Sequence, residues 1–150
     1  MLSIKRTHGS DPDLRQLIEH LDKFLWGLYN NRMEFFGQFN YVDEDHLAIV
    51  IYDNGKPVGC GCLRQFDSET AEVKRMFVLP SERKKGVAGL VLAELEKWAK
   101  ESGYTKVILE TGDRLTEAIN LYQKHQYKIT DNFGPYVGVQ ESVCMKKIIV

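Results

Sequence analysis

Three consecutive cations, Arg83, Lys84 and Lys85, stand directly before Gly86-Val87-Ala88-Gly89, where an amphipathic run extending to about Ser102 begins. A helix N-terminus carries about half a positive charge and several unpaired backbone N–H groups. Basic residues are disfavoured there by a few tenths to about 1 kcal/mol each, and a glycine costs up to about 1 kcal/mol of helix propensity. A segment that accepts both penalties is suited to binding an anion. Glycine lets the anion approach the backbone, the N–H groups point at it, and the cations neutralise it. A polyanionic phosphate is the natural ligand. The β-rich stretch Thr70–Val78 comes first and stops at Pro80, so strand, glycine-containing turn and helix start follow in the order that phosphate binding requires.

Two nucleotide-binding patterns are missing. There is no Gly-x-x-x-x-Gly-Lys-Ser/Thr, and no Gly-x-Gly-x-x-Gly after an N-terminal strand. What remains, Arg83-Lys-Lys-Gly-Val-Ala88, resembles the Arg/Gln-x-x-Gly-x-Gly/Ala motif of the GCN5-related N-acetyltransferase (GNAT) superfamily. Three further segments resemble the same family in order: Ala71–Val78 its fourth strand, Lys106–Gly112 its fifth, and Glu117–Tyr127 its Ala-x-x-Leu-Tyr-x-Lys-x-Gly-Phe element. The likeness covers about residues 46–149. It implies an α/β fold with a mixed, mostly antiparallel sheet, splayed between strands 4 and 5 and flanked by about four helices. It also implies acetyl-CoA as co-substrate, without a metal. The cofactor contacts it implies are Met76, Phe77 and Val78 on the strand, Arg83, Lys84, Lys85, Gly86, Val87, Ala88 and Gly89 at the helix start, and Asn120 on the last helix. The chain departs from the family at Gln126, where glycine is usual, and at Leu115, where many members have asparagine.

Acetyl transfer to an amine makes three demands. An alkyl amine of pKa near 10 is mostly protonated at neutral pH, so a base must take a proton. The thioester carbonyl must be polarised, and the thiolate must be helped to leave. Glu72, on the cofactor-side strand, is the candidate base, and Glu110 on the adjoining strand is its competitor. Pairing of Glu72 with Lys74 and Arg75 is the structural alternative. Tyr122 is the candidate acid, because a phenol suits hydrogen bonding to a departing thiolate. The four histidines and Asp43-Glu44-Asp45 read as structure or solvated surface rather than as metal ligands. Acceptor choice falls to the segments Arg32–Asp45 and Phe133–Ser142, whose acidic rim favours a cationic amine and whose Tyr136 is expected to be exposed above the sheet.

The elements that must hold these groups follow from periodicity. Leu2–Arg6 forms a strand, and Ser10 or Asp11 caps a helix with apolar positions 14, 17, 18, 21, 24, 25 and 28. Arg32–Phe39 reads as a short helix. Leu47–Tyr52 and Pro57–Phe66 flank Asp53-Asn-Gly-Lys56, a hairpin turn in which Asn-Gly tolerates positive φ. Thr116–His125 is the last helix and Ser142–Ile149 the last strand. At 150 residues and 43% hydrophobic content, one domain spanning 1–150 is expected. No apolar run of 18 residues and no signal-peptide core are present, which excludes a membrane span and favours the cytoplasm. A net charge of −1 argues against nucleic acid as partner. Cys60, Cys62 and Cys144 are expected as free buried thiols. The partners expected are a small-molecule or protein amine, with the chain monomeric or homodimeric. The rival to an enzyme is an acyl-CoA-binding regulatory module without catalysis.

Overall fold

In the computed structural model, which describes all of residues 1–150, seven strands form one sheet in the order β1-β2-β3-β4-β5-β7-β6. The strands are β1 (Leu2–His8), β2 (Leu47–Asp53), β3 (Lys56–Gln65), β4 (Thr70–Val78), β5 (Lys106–Gly112), β6 (Lys128–Thr130) and β7 (Ser142–Ile148). All neighbours are antiparallel except β4 and β5. The helices are α1 (Pro12–Tyr29), the single turn α2 (Met33–Gly37), α3 (Val87–Glu101) and α4 (Thr116–Lys124).

Both faces of the central strands are buried, which explains why Leu47–Tyr52 reads as a continuous apolar run. Ile49 and Ile51 join a core under α3 with Val91, Leu92 and Leu95. Ala48 and Val50 join a second core under α1 with Leu14, Leu17 and Leu21. Cys60 and Cys62 lie in that second core, and all three thiols are free and buried. Asp11 caps α1, accepting from the N–H groups of Asp13 at 2.8 Å and Leu14 at 3.2 Å. Asn54 and Gly55 both take positive φ in the β2–β3 turn, as a two-residue hairpin loop requires.

The short helix is smaller than the pattern suggests. The aromatic run gives one helical turn, Met33–Gly37, after a 3-10 turn at Asn30–Arg32, and Phe39 lies beyond it. Phe39 instead packs edge-on against Tyr136 at 5.8 Å. β6 is three residues long, too short for periodicity to register.

Two irregularities shape the middle of the sheet. β4 and β5 pair in parallel only from Thr70–Val73 to Lys106–Leu109; beyond those residues they part. This is the splay. On its other edge, Cys60 pairs with Phe77 and Cys62 with Lys74, so β4 carries one residue more than β3 between those pairs. Arg75, at φ 59°, occupies this bulge. An extra residue reverses the side-chain alternation. Ala71 and Val73 face α3 before the bulge; Met76 and Val78 face it afterwards, while Phe77 turns to α1.

Candidate active site

The helix that follows β4 begins without a cap. Gly86 precedes Val87 at φ 80°, no side chain bonds the end, and the first turn holds no acid. The first backbone bond runs from the Leu90 N–H to the Gly86 carbonyl, which leaves the preceding N–H groups directed out of the helix end. Glycine is needed at 86 for its left-handed backbone; a Cβ there would meet nothing.

These N–H groups open on a groove of about 620 Å³ between the ends of α3 and α4. Met76, Phe77 and Val78 form its β4 wall; Arg83, Lys84, Gly86, Val87, Ala88 and Gly89 form its α3 wall. Arg83 is fixed by donating Nε–H to the Val78 carbonyl at 3.0 Å and by lying over the rings of Phe24 and Phe77. Two of the residues expected in the groove are elsewhere. Lys85 turns out to solvent and pairs with Glu82 at 2.8 Å. Asn120 is exposed and lines neither the groove nor the cavity beside it, because it falls on the outer face of α4.

The groove also has a wall that sequence reasoning passed over. Lys124 and His125 end α4 and face the α3 N-terminus. A Cβ on Gly89 would sit 3.3 Å from the His125 ring, so Gly89 permits this close approach. A lysine and a histidine at the end of a helix are ordinary company for its dipole, so nothing in the sequence singled them out.

A second cavity of about 130 Å³ adjoins the groove, sharing Leu21, Met76, Leu115, Ala118 and Tyr122 with it. It lies where β4 and β5 part, with Lys74 and Arg75 on one side and Glu110, Thr111 and Gly112 on the other. Beyond Val73 the β4 backbone has no β5 partner. Its polar groups are therefore free to meet a ligand in the gap.

The carboxylates differ in their surroundings. Glu72 is buried, accepts from Arg64 Nε at 3.0 Å and lies 3.6 Å from the Lys74 ammonium, so both oxygens are engaged. It lines neither the groove nor the adjoining cavity. Glu110 does line the cavity and accepts from the Ser142 hydroxyl at 2.7 Å. Burial pushes the pKa of Glu110 up, although Ser142 and Lys74 oppose this. Arg75 does not pair with Glu72; it reaches Asp22 on α1.

Tyr122 stands where groove and cavity meet. Burial, and then the charge of Glu110, raise the pKa of its phenol. The hydroxyl has no protein hydrogen bond and is not sealed off, so it faces the open space. A Schellman turn sets its position. The Tyr127 N–H reaches the Tyr122 carbonyl at 3.0 Å, the Gln126 N–H reaches that of Gln123, and the two tyrosine rings pack edge-on at 5.9 Å. Gln126 takes the left-handed conformation that glycine usually fills, at φ 73°.

The substrate-side segments correct two expectations. Tyr136 is buried, not exposed, and its hydroxyl accepts from Lys74 at 3.2 Å. Asp43 and Asp45 border a separate cavity beside Tyr41, His46 and Arg64, and do not reach the one at Glu110.

The parted strands, the uncapped helix facing the gap and the tyrosine at its throat define an acyl-CoA-type transferase architecture, and comparison with known proteins agrees. The model of the acetyltransferase (GNAT) family matches residues 12–127, and the chain belongs to that family. An IAA acetyltransferase of Azospirillum brasilense is 33% identical over 135 residues, 88% of each chain. Among solved structures, a Klebsiella pneumoniae protein described as an acyl-CoA N-acyltransferase superposes with a TM-score of 0.85 at 27% identity, covering 100% of this chain and 99% of that one. A GNAT acetyltransferase from Elizabethkingia anophelis, solved with acetyl-CoA bound, has a TM-score of 0.71 at 20% identity, covering 98% and 97%. At that identity the likeness speaks for the fold. No helix here is long and apolar enough to cross a membrane.

Proposed function

We propose that this chain is a single-domain N-acetyltransferase that moves an acetyl group directly from acetyl-CoA to an amine, with Glu110 as base and Tyr122 as thiol-side donor. The observation that carries the reading is the continuity of the two cavities. The cationic, uncapped α3 end leads past Tyr122 to a half-buried carboxylate at the strand splay.

The pyrophosphate of the co-substrate meets the N–H groups of Gly86–Gly89, with Arg83 and Lys84 supplying charge and His125 closing the opposite wall. The arm then passes along the unpaired edge of β4. Glu110 takes a proton from the bound ammonium, and the free amine attacks the thioester carbonyl. Backbone N–H groups at the β4 bulge stabilise the oxyanion that forms. The attack forms the carbon–nitrogen bond; collapse restores the carbonyl and breaks the carbon–sulfur bond, the second amine proton passes to the departing sulfur, and Tyr122 donates a hydrogen bond to that sulfur as charge develops there. Glu72, with both oxygens already committed, serves to hold Lys74 and Arg64. Its engagement supports Glu110 as base in place of the strand-4 carboxylate that the family pattern suggests.

The test is a calorimetric titration with acetyl-CoA, followed by thiol release in the presence of a broad amine panel. Binding with amine-dependent release is expected. Binding without release from any amine would leave a regulatory acyl-CoA module in place of the enzyme.

A further inference from the structure

The acceptor cavity holds more positive charge than amine chemistry asks for. A base is needed, and Glu110 provides it. Yet Lys74 and Arg75 line the same cavity, and both are buried, at 7% and 8% exposure. Lys74 Nζ contacts the Tyr136 hydroxyl at 3.2 Å and lies 3.6 Å from Glu72. An ammonium has three N–H donors, so one is left over. Arg75 gives Nη2 to Asp22, but its Nε is sealed from solvent with no partner. No other buried side-chain nitrogen or oxygen in the protein is left so. Arg75 reaches this position only because the bulge holds it at φ 59°, a strained backbone for a residue with a side chain.

Pairing with Glu72 and Asp22 accounts for the charges of these two residues. It does not account for the spare Lys74 donor. The sealed Nε is as far out of a ligand's reach as out of water's, so what a ligand entering the cavity meets is the Lys74 ammonium, with the Arg75 charge beside it. A simple ammonium ligand brings no acceptor and is repelled by both cations. A carboxylate is acceptor-only and suits an ammonium donor flanked by a second cation.

Resting on the acetyltransferase reading above, we infer that the acceptor is an amine that also bears a carboxylate, as an α-amino acid does. Its carboxylate lies against Lys74 and Arg75, and its amino group against Glu110 and the throat at Tyr122. The remaining wall, with Leu25, Met33 and Phe36, is apolar, and at about 130 Å³ the cavity takes a small aliphatic side chain. The acidic segment at Asp43–Asp45 borders another cavity and does not oppose a carboxylate here.

The experiment compares L-leucine with L-leucinamide and 3-methylbutylamine, reading kcat/KM from thiol release at saturating acetyl-CoA. Leucinamide has the less basic amine, so a bias from free-amine supply runs against the expected result. Leucine is expected to exceed both by at least tenfold. In Lys74→Met, checked for folding by its melting curve, that preference should fall at least tenfold, mainly through the KM for leucine. Arg75→Met, which removes the second cation, should erode it in the same direction. Equal or faster transfer to the amide and the plain amine by the unaltered protein overturns the inference and leaves the acetyltransferase reading standing. No release from any of the three, nor from a broad amine panel, overturns that reading itself, and this inference with it.

Discussion

Replacing Tyr122 with phenylalanine separates catalysis from stability at a single oxygen atom. The ring remains, and with it the edge-on packing against Tyr127 at 5.9 Å. The hydroxyl has no protein partner, so its removal breaks no bond and orphans no buried group. Stability should therefore change by less than about 1 kcal/mol, or about 2–4 °C in Tm for a chain of this size. The kinetic effect depends on what the hydroxyl does. A hydrogen bond to a charged group contributes about 1.5–3 kcal/mol, which is about 10- to 150-fold in rate. Full general-acid transfer contributes about 10²–10⁴-fold. A phenol whose pKa is raised above 10 gives up its proton reluctantly to a thiolate, whose conjugate acid ordinarily has a pKa of about 8.5. Hydrogen-bond donation without complete transfer is thus the expected mode, and a loss of about 10²-fold follows. Single-turnover thiol release, which isolates chemistry from product departure, is the assay, alongside calorimetric acetyl-CoA affinity and thermal melting. A variant within about threefold of the parent in the single-turnover rate refutes the role. A drop of many degrees in Tm refutes the structural premise that the hydroxyl is unbonded.

Gly86→Glu should abolish acetyl-CoA binding in calorimetry. It sets an anion at the open helix end and strains a backbone at φ 80°, so retained affinity would remove the phosphate assignment. Glu110→Gln should lower the rate at pH 7 by about 10²–10⁴-fold and recover with alkalinity. For an amine of pKa near 10, the free-base fraction rises about 100-fold from pH 7 to 9, so a loss that stays flat across that range would contradict a base role. Because burial raises the Glu110 pKa, the acid limb of the wild-type profile should lie above pH 4.5. Asp11→Ala should cost about 1–2 kcal/mol at pH 7 by chemical denaturation, through loss of the α1 cap. Burial alone would raise the Asp11 pKa, but Lys5, Thr7 and the Leu14 N–H outweigh it and hold it below 3.8. The difference between the two proteins should therefore be complete above about pH 4 and shrink as pH falls through that lowered value. A gap that persists unchanged to pH 2 would exclude the linkage.

The groove at the α3 end was legible because its signals are local. Arg83, Gly86 and Gly89 announce themselves by being wrong for a helix start, and the strand before them by its composition. The paired Asn54 and Gly55, the Asp11 cap and the left-handed Gln126 were legible for the same reason, since each is a short-range backbone requirement. The base was not. Glu72 and Glu110 sit on adjacent strands with similar neighbours in sequence, and only the register shows that Arg64 lies opposite Glu72 while Ser142 reaches Glu110. Tyr136 was misplaced because it packs against Phe39 and bonds Lys74, partners far from it in the chain. Asn120 and Lys85 failed for a different reason: a motif states which residues stand near a ligand, not which way a helix face or a turn directs them.

The bulge at Arg75 makes β4 a strand with two reading frames. Upstream, odd positions are packed under α3; downstream, even ones are. A substitution scan along this strand should show its tolerance pattern change phase at residue 75, and neither frame alone would describe it. Loss of Arg75 itself would join the two frames into one regular alternation, with Met76 and Val78 still under α3 and Phe77 still against α1; what would go is the bulge and the cation it holds at the cavity. A one-residue deletion in the middle of β4 is expected to damage the site more than most substitutions in it.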